Sequence, residues 1–293
     1  MQRQAYLGQS DVLDFVSWLS NLLTKSTPKH QYSEPRKASV TFDGLWGARD
    51  KYKWKFSFKA PGGNGDIQGS SYMDNDKALT VLKNGLTSAL SVVPPGKADV
   101  AARDWAKAIM KWGGVTSGNA KWLDANSNGL AKRLADTRSI LSLDDDEVTD
   151  DRVGRFTVGM SKAYSLLVDK FIIYDSRVAA TLAWLVALWC QETSRACVPP
   201  LLRVGCLPAK EGENAHKLRN PSCTHFSFPW VNNSPAQHVR WNLRGSWILS
   251  SALASSKEAK FHADTQPLRA LEAAFFMWGY DVAGIPACSV CHL

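Results

Sequence analysis

The chain has 293 residues, of which 35 are Lys or Arg and 27 are Asp or Glu, so its formal charge at pH 7 is +8. Hydrophobic residues make up 45% and charged residues 21%, which excludes an intrinsically disordered chain. The length suits one large domain or two small ones. A basic excess of this size favours polyanionic partners, because neutralising phosphates releases counterions.

The chain shows no feature of export or membrane insertion. Residues 1–10 contain no long apolar stretch, so we expect no secretory signal. The longest apolar run, residues 178–190, is shorter than the roughly 20 residues that span a bilayer. We therefore expect a cytoplasmic protein without membrane contact, in which the six cysteines are reduced thiols. We also expect a monomer.

The first predicted element is a helix at residues 10–23, where apolar residues form one stripe. Two strand-like runs follow, at residues 39–42 and 52–59. The second alternates Tyr52, Trp54, Phe56 and Phe58 with polar residues, as a half-buried strand does. We expect the two runs to pair as a hairpin, with residues 43–50 as the loop that carries Trp46.

Helical periodicity dominates the rest of the chain. Apolar stripes predict helices within residues 79–90, 101–112, 130–141, 159–168, 176–190, 241–254 and 266–279, and residues 195–240 are irregular. The predicted fold is mainly α, with a small β element near the N-terminus. We divide it into an N-terminal α/β part at residues 1–95 and a helical part at residues 96–293.

The segment most informative about chemistry surrounds Asp175, which directly precedes a strongly periodic helix. At this N-cap position a carboxylate accepts hydrogen bonds from the first free N–H groups, and the helix dipole favours its charged form. A carboxylate held in this way could stabilise a cation forming in front of it. Ser176 and Arg177 add a hydroxyl and a guanidinium at the same helix end. Lys162 lies in the first turn of the preceding helix, just after Gly159, whose lack of a side chain permits close backbone approach.

Residues 158–162 (VGMSK) and 171–178 (FIIYDSRV) resemble the helix-hairpin-helix DNA glycosylases. In that family a hairpin ending in a Val-Gly-x-Lys-like sequence is followed by a helix and by an Asp that caps the next helix. The chain is most similar to the bacterial branch related to 8-oxoguanine glycosylases, which has the GMSK and IYDSRVA sequences found here. The likeness extends over roughly residues 100–282, through 111–115, 219–221, 240–244 and 269–280.

The resemblance implies an enzyme that flips a nucleotide out of double-stranded DNA and cleaves its N-glycosidic bond. Asp175 would stabilise the oxocarbenium-like sugar, and Lys162 is the candidate nucleophile of members that form a Schiff base. One branch of the family removes glucosylated hydroxymethylcytosine from phage DNA, and we expect that role here. The expected DNA contacts are Gly159, Ser161, Ser176, Arg177, Arg219, Asn242 and Arg244, and the expected base-pocket residues are Trp46, Trp54 and Tyr174.

The chain departs from the family pattern in two places. Fewer residues separate Lys162 from Asp175 than in the well-known repair members, and residues 149–156 lack a Leu-Pro-Gly sequence. We therefore favour a monofunctional reaction in which water attacks the sugar. The alternatives are an 8-oxoguanine-type repair glycosylase, with or without lyase activity, and a DNA-binding module without catalysis.

Two further patterns raise the question of a metal. The acidic run at residues 144–147 is compatible with a metal-dependent nuclease, but we expect a solvated turn there. Cys206, His216, Cys223 and His225 have no familiar zinc spacing, and residues 288–292 (CSVCH) look like a haem motif that would require export. We expect no metal and no cofactor.

Overall fold

The computed structural model describes residues 1–33, 39–209 and 217–283. The N-terminal third mixes short helices and strands: α1 (Arg3–Leu7), α2 (Ser10–Leu22), β1 (Lys29–Tyr32), β2 (Val40–Asp43), α3 (Gly44–Asp50), β3 (Phe56–Lys59) and β4 (Asp66–Gly69). The remainder is helical: α4 (Tyr72–Ala89), α5 (Pro95–Trp112), α6 (Thr116–Ala125), α7 (Leu130–Leu141), α8 (Asp150–Val153), α9 (Val158–Leu167), α10 (Ser176–Glu192), α11 (Pro235–Ser255) and α12 (Pro267–Trp278). Single 3-10 turns lie at Pro200–Leu202 and Lys260–Ala263.

The β structure is arranged differently from the predicted hairpin. Strand β2 pairs antiparallel with the preceding strand β1, with Lys29 opposite Asp43, and β3 pairs with β4, with Phe56 opposite Gly69. The predicted pairing of residues 39–42 with 52–59 is therefore wrong, and so is the predicted loop, since residues 44–50 form α3. Gly44 permits this change because its positive φ of 66° turns the chain directly from strand into helix.

The alternation predicted for residues 52–59 is confirmed, although only its second half is a strand. Phe56 and Phe58 are buried, whereas Lys53, Lys55 and Lys59 are exposed. The aromatic side chains therefore face the helices, and the lysines face solvent. This arrangement is what a strand with one buried face requires.

Helix α10 lies at the centre of the fold. Its side chains from Val178 to Cys190 are all buried, as expected for a helix that is apolar on every side. It packs against α2 and α12, while α12 packs extensively against α3 and α11 against α2. Because α10 is enclosed, its N-terminus lies inside the protein, at the base of a cavity. This position determines where Asp175 can act.

The prediction of a mainly α fold with a small β element near the N-terminus is confirmed. Buried side chains from residues 1–95 and from residues 96–283 belong to one continuous core in the described part of the chain. The division at residue 95 stays a prediction. Within the described ranges, no helix has both the length and the apolar character needed to cross a bilayer.

Candidate active site

Asp175 caps the central helix in the way its sequence position predicts. Its Oδ1 accepts hydrogen bonds from the backbone N–H groups of Arg177, at 2.9 Å, and Val178, at 3.0 Å. The residue is 8% exposed and lines a cavity. Because the two amides hold Oδ1, the carboxylate is fixed in direction and Oδ2 is left for another partner.

That partner is Lys162, on the neighbouring helix α9. Its Nζ lies 3.8 Å from Asp175 Oδ2 and 6.0 Å from the ring centroid of Trp112. The lysine is 6% exposed, so a water-poor ion pair forms the floor of the site. Gly113 makes room for the lysine stem, since a Cβ at that position would come within 2.8 Å of Lys162 Cε. The structure thus brings together the two residues predicted to be catalytic.

The pair opens into a cavity of about 930 Å³. Its walls are formed by helices α4, α5, α6, α9, α10, α11 and α12 and by loops that include residues 52–54, 207–208 and 231–234. Trp54 lines it as predicted, with its Nε1–H donating to Trp112 O at 2.9 Å. Ser176 lines it as well. The lining includes both aromatic and amide side chains, such as Trp112, Phe276, Asn75 and Asn119. This composition is suited to stacking and hydrogen bonding with a planar, polar ligand.

Two guanidinium groups stand beside Asp175. Arg177 Cζ lies 4.2 Å from the ring centroid of Phe276 and 4.8 Å from that of Tyr280. Burial lowers the pKa of Arg177, while the Asp175 carboxylate opposes that shift. Arg219 is 4% exposed and lines the same cavity, and burial followed by the charge of Arg177 lowers its pKa to about 10. Both groups remain cations at neutral pH.

Arg219 is anchored by its Nη1, which donates to the carbonyl groups of Gly279 and Tyr280. In the part of the chain that the structure describes, its buried Nε has no hydrogen-bond partner. The cavity wall as a whole carries more basic than acidic side chains, and this excess favours an anionic group such as a phosphate: Lys162, Arg177, Arg219 and Arg269 against Asp76, Asp175 and Glu272. The predicted roles of Arg177 and Arg219 are compatible with this placement.

Sequence reasoning missed Glu272, a buried carboxylate on α12 that lines the same cavity. Its Oε2 accepts from the Ile173 backbone N–H at 2.7 Å and from Arg269 Nη1 at 2.5 Å. Burial raises the pKa of Glu272, although Arg269 opposes the shift. The only sequence signal was a Glu within the apolar stripe of the last predicted helix.

His238, on α11, was missed in the same way. Its ring lines the cavity and is 5% exposed. Its Nε2 lies 3.2 Å from the carbonyl oxygen of Tyr174. Since a carbonyl only accepts, Nε2 must carry the proton, and burial lowers the ring pKa to about 4. His238 is therefore a neutral imidazole that braces the backbone next to Asp175.

Two residues predicted for the base pocket lie elsewhere. Trp46 is on α3 and packs edge-on against Phe261, with ring centroids 5.2 Å apart, so it does not line the cavity. Tyr174 is fully buried behind Asp175, and its hydroxyl donates to Gly205 O at 2.6 Å. Both are bulky aromatic residues that pack in the protein interior. Their sequence position alone does not distinguish such packing from a role in a base pocket.

Several predicted DNA contacts are also enclosed. Gly159 is buried in α9, where a Cβ would come within 2.9 Å of Asn119 Cγ. Ser161 is 0% exposed and its hydroxyl donates to Val158 O at 2.8 Å. Asn242 is 0% exposed as well. These side chains do not reach the surface, because their helices present them to the core.

Arg244, predicted as a DNA contact, forms an ion pair with a buried carboxylate. Its Nε lies 2.5 Å from Oδ2 of Asp146, whose side chain is 2% exposed. The expectation that residues 144–147 form a solvated turn is therefore wrong for Asp146, which is held inside by this arginine and by the Met1 amino group, 2.7 Å from its Oδ1. Asp146, one of the four acidic residues at 144–147, therefore has a structural role as the buried partner of Arg244.

The predicted metal-binding patterns fall partly beyond the residues the structure describes. His216 and residues 288–292 lie outside the described ranges. Within those ranges, no group of three or more potential metal-ligating side chains is found. Comparisons of the chain with protein-family models, with curated proteins and with solved structures found no match.

Proposed function

We propose that this protein is a DNA glycosylase that flips a modified nucleotide into the cavity and excises its base, leaving an abasic site. The observation that carries the proposal is the geometry of Asp175. Its Oδ1 is pinned by two amides of α10, and its Oδ2 faces Lys162 on the cavity floor. A fixed carboxylate in a water-poor site stabilises positive charge far better than a solvated one.

In the proposed reaction the C1′–N bond breaks and its electron pair leaves with the base. The deoxyribose then carries positive charge next to Asp175, which stabilises it by electrostatic attraction. Water adds to C1′, and the proton released from water neutralises the departing base. This route is monofunctional and needs no covalent bond to the enzyme.

A lyase reaction is the second candidate, and one observation favours it. Lys162 Nζ lies 3.8 Å from Asp175 Oδ2, so the amine reaches the centre at which the carboxylate acts. The short sequence separation of the two residues therefore does not hold the amine away. If the amine loses its proton it could attack C1′ and form a Schiff base.

The distribution of cations supports DNA as the substrate. Arg177 and Arg219 line the cavity beside Asp175. The exposed residues Lys53 and Lys55 flank the lining residue Trp54, and the exposed Lys111 precedes the lining residues 112–115. Backbone phosphates on either side of a flipped nucleotide would meet these groups.

The size of the cavity favours a bulky base. Its volume of about 930 Å³ is near the upper end of the roughly 300–1,000 Å³ typical of sites for drug-sized ligands. A flat base without a substituent would leave much of this space empty. We therefore rank glucosylated hydroxymethylcytosine, in phage DNA, above 8-oxoguanine in damaged DNA.

The decisive experiment is mass spectrometry of the bases released from glucosylated phage DNA, oxidised DNA and unmodified DNA. We expect release of the glucosylated base, with abasic sites formed in equal number. Tight DNA binding without base release from any of these DNAs would favour a non-catalytic binding module. Full activity in EDTA would argue against a metal-dependent nuclease, and borohydride trapping of a protein–DNA adduct would assign the lyase route to Lys162.

A further inference from the structure

Tyr52 places a hydroxyl group in the cavity that the proposed reaction has not yet used. Its ring packs edge-on against the ring of Tyr72, and the two centroids are 5.9 Å apart. The centroid of the Phe276 ring lies 5.7 Å away. Its backbone N–H donates to Arg49 O at 3.0 Å. These contacts fix the ring, and Tyr52 lines the cavity together with Asp175 and Glu272.

Among the residues that the structure describes, the hydroxyl of Tyr52 has no hydrogen-bond partner. Burial raises the pKa of this phenol, and the Glu272 and Asp175 carboxylates raise it further. The phenol is therefore protonated at neutral pH. The neutral Tyr52 donor, influenced by the charges of Glu272 and Asp175, therefore lines the cavity that would receive a flipped nucleotide.

Cleavage of an N-glycosidic bond creates charge of both signs. The sugar becomes positive, and the base, which retains the electron pair of the broken bond, becomes negative. Asp175 can stabilise only the sugar, and the carboxylate of Glu272 would repel an electron-rich base atom. A donor is needed on the base side, and Tyr52 is a cavity residue that supplies one without carrying positive charge.

We propose that the Tyr52 hydroxyl donates a hydrogen bond to a carbonyl oxygen or ring nitrogen of the departing base and stabilises its developing negative charge. This proposal rests on the proposed glycosylase function. The phenol keeps its proton throughout, the C1′–N electron pair goes to the base, and the proton from the attacking water neutralises that base. Tyr52 is thus a catalytic residue that acts on the leaving group, whereas Asp175 acts on the sugar.

The test compares Tyr52→Phe with the wild type in two assays. The first is the single-turnover rate of base release from duplexes that contain glucosylated hydroxymethylcytosine or 8-oxoguanine. The second is the Kd for a duplex in which a cationic pyrrolidine replaces the target sugar and no base is present. We expect the rate to fall about 100-fold, the effect typical of losing one transition-state donor. The Kd should stay within two-fold, because the pyrrolidine has no leaving base.

Tyr6→Phe is the matched control. It removes the same hydroxyl from another buried tyrosine, which donates to Leu201 O at 3.0 Å and does not line the cavity. We expect its rate to stay within three-fold of the wild type. Equal rates for Tyr52→Phe and wild type would overturn the assignment, and so would a weakened pyrrolidine complex, which indicates a structural role. If the wild type itself releases no base from either duplex, the proposed function fails and this assignment fails with it.

Discussion

Replacing Asp175 by Asn tests the central carboxylate with little disturbance of the fold. The amide Oδ1 of Asn can still accept from the N–H groups of Arg177 and Val178, which Asp175 now binds at 2.9 and 3.0 Å. Loss of an N-cap acceptor costs about 1 kcal/mol, and Asn avoids most of that cost. What disappears is one negative charge, at 3.8 Å from Lys162.

The expected loss of activity follows from Coulomb's law. A carboxylate about 4 Å from the cationic sugar contributes about 4 kcal/mol at an effective dielectric constant near 20. Since about 1.4 kcal/mol corresponds to a factor of ten, excision should slow about 1,000-fold. DNA binding should persist or tighten, because the substitution removes a negative charge from a surface that meets phosphates.

The assay is single-turnover base release, combined with DNA affinity by fluorescence anisotropy and with thermal unfolding. Asp74→Asn is the control, since Asp74 is also a carboxylate in the first turn of a helix, at α4, but it is not in the cavity wall. The control should keep the wild-type rate. An Asp175→Asn variant that folds and excises within ten-fold of the wild type would refute the role given to this carboxylate.

Three further predictions concern neighbouring groups. Gly113→Ala should lower the unfolding free energy by about 1–3 kcal/mol, read by chemical denaturation, and should also slow excision, because the new methyl group displaces the stem of Lys162. His238 has a folded pKa of about 4 against about 6.5 when unfolded, so the unfolded chain binds the extra proton first as the pH falls. The stability it contributes is complete above pH 6.5 and declines towards pH 4, by about 3 kcal/mol in total, and denaturation curves of His238→Gln should lack this part of the pH dependence. Asp146→Ala should cost about 3 kcal/mol, since it removes the ion-pair partner of the mostly enclosed Arg244 and one partner of the Met1 amino group. The folded variant should excise at the wild-type rate, and loss of activity without loss of stability would contradict this structural assignment.

Local pattern was sufficient for most of the helices and for the position of Asp175 in the candidate site. The helix predicted at residues 176–190 is α10, and Asp175 caps it with the predicted bonds. Both features depend on residues close together in the chain, such as a capping oxygen, free amides and an apolar period of 3.6. The nearness of Lys162 to Asp175 is also partly local, because one helix and one short turn join them.

Pairing and packing between distant segments were not available from the sequence. From the sequence, the strand at residues 40–43 could pair with a following or with a preceding strand. In the structure it pairs with the preceding strand β1, and the chain turns at Gly44, with a positive φ, into α3. Glu272 and Tyr52 come from opposite ends of the chain and meet only because α12 packs beside α10 and the N-terminal segment. Asn242 was predicted as a DNA contact and Trp46 as a base-pocket residue. The first is buried in the core, and the second packs against Phe261 away from the cavity.

The sequence by itself therefore determined a basic, mainly helical chain with one carboxylate capping its most apolar helix. The tertiary structure decided which other groups surround that carboxylate: a lysine on its open side, two guanidiniums, a buried glutamate and a free phenol. The physical reason is that periodicity and capping act over a few residues, whereas burial, desolvation and the sharing of one cavity depend on how separate segments pack.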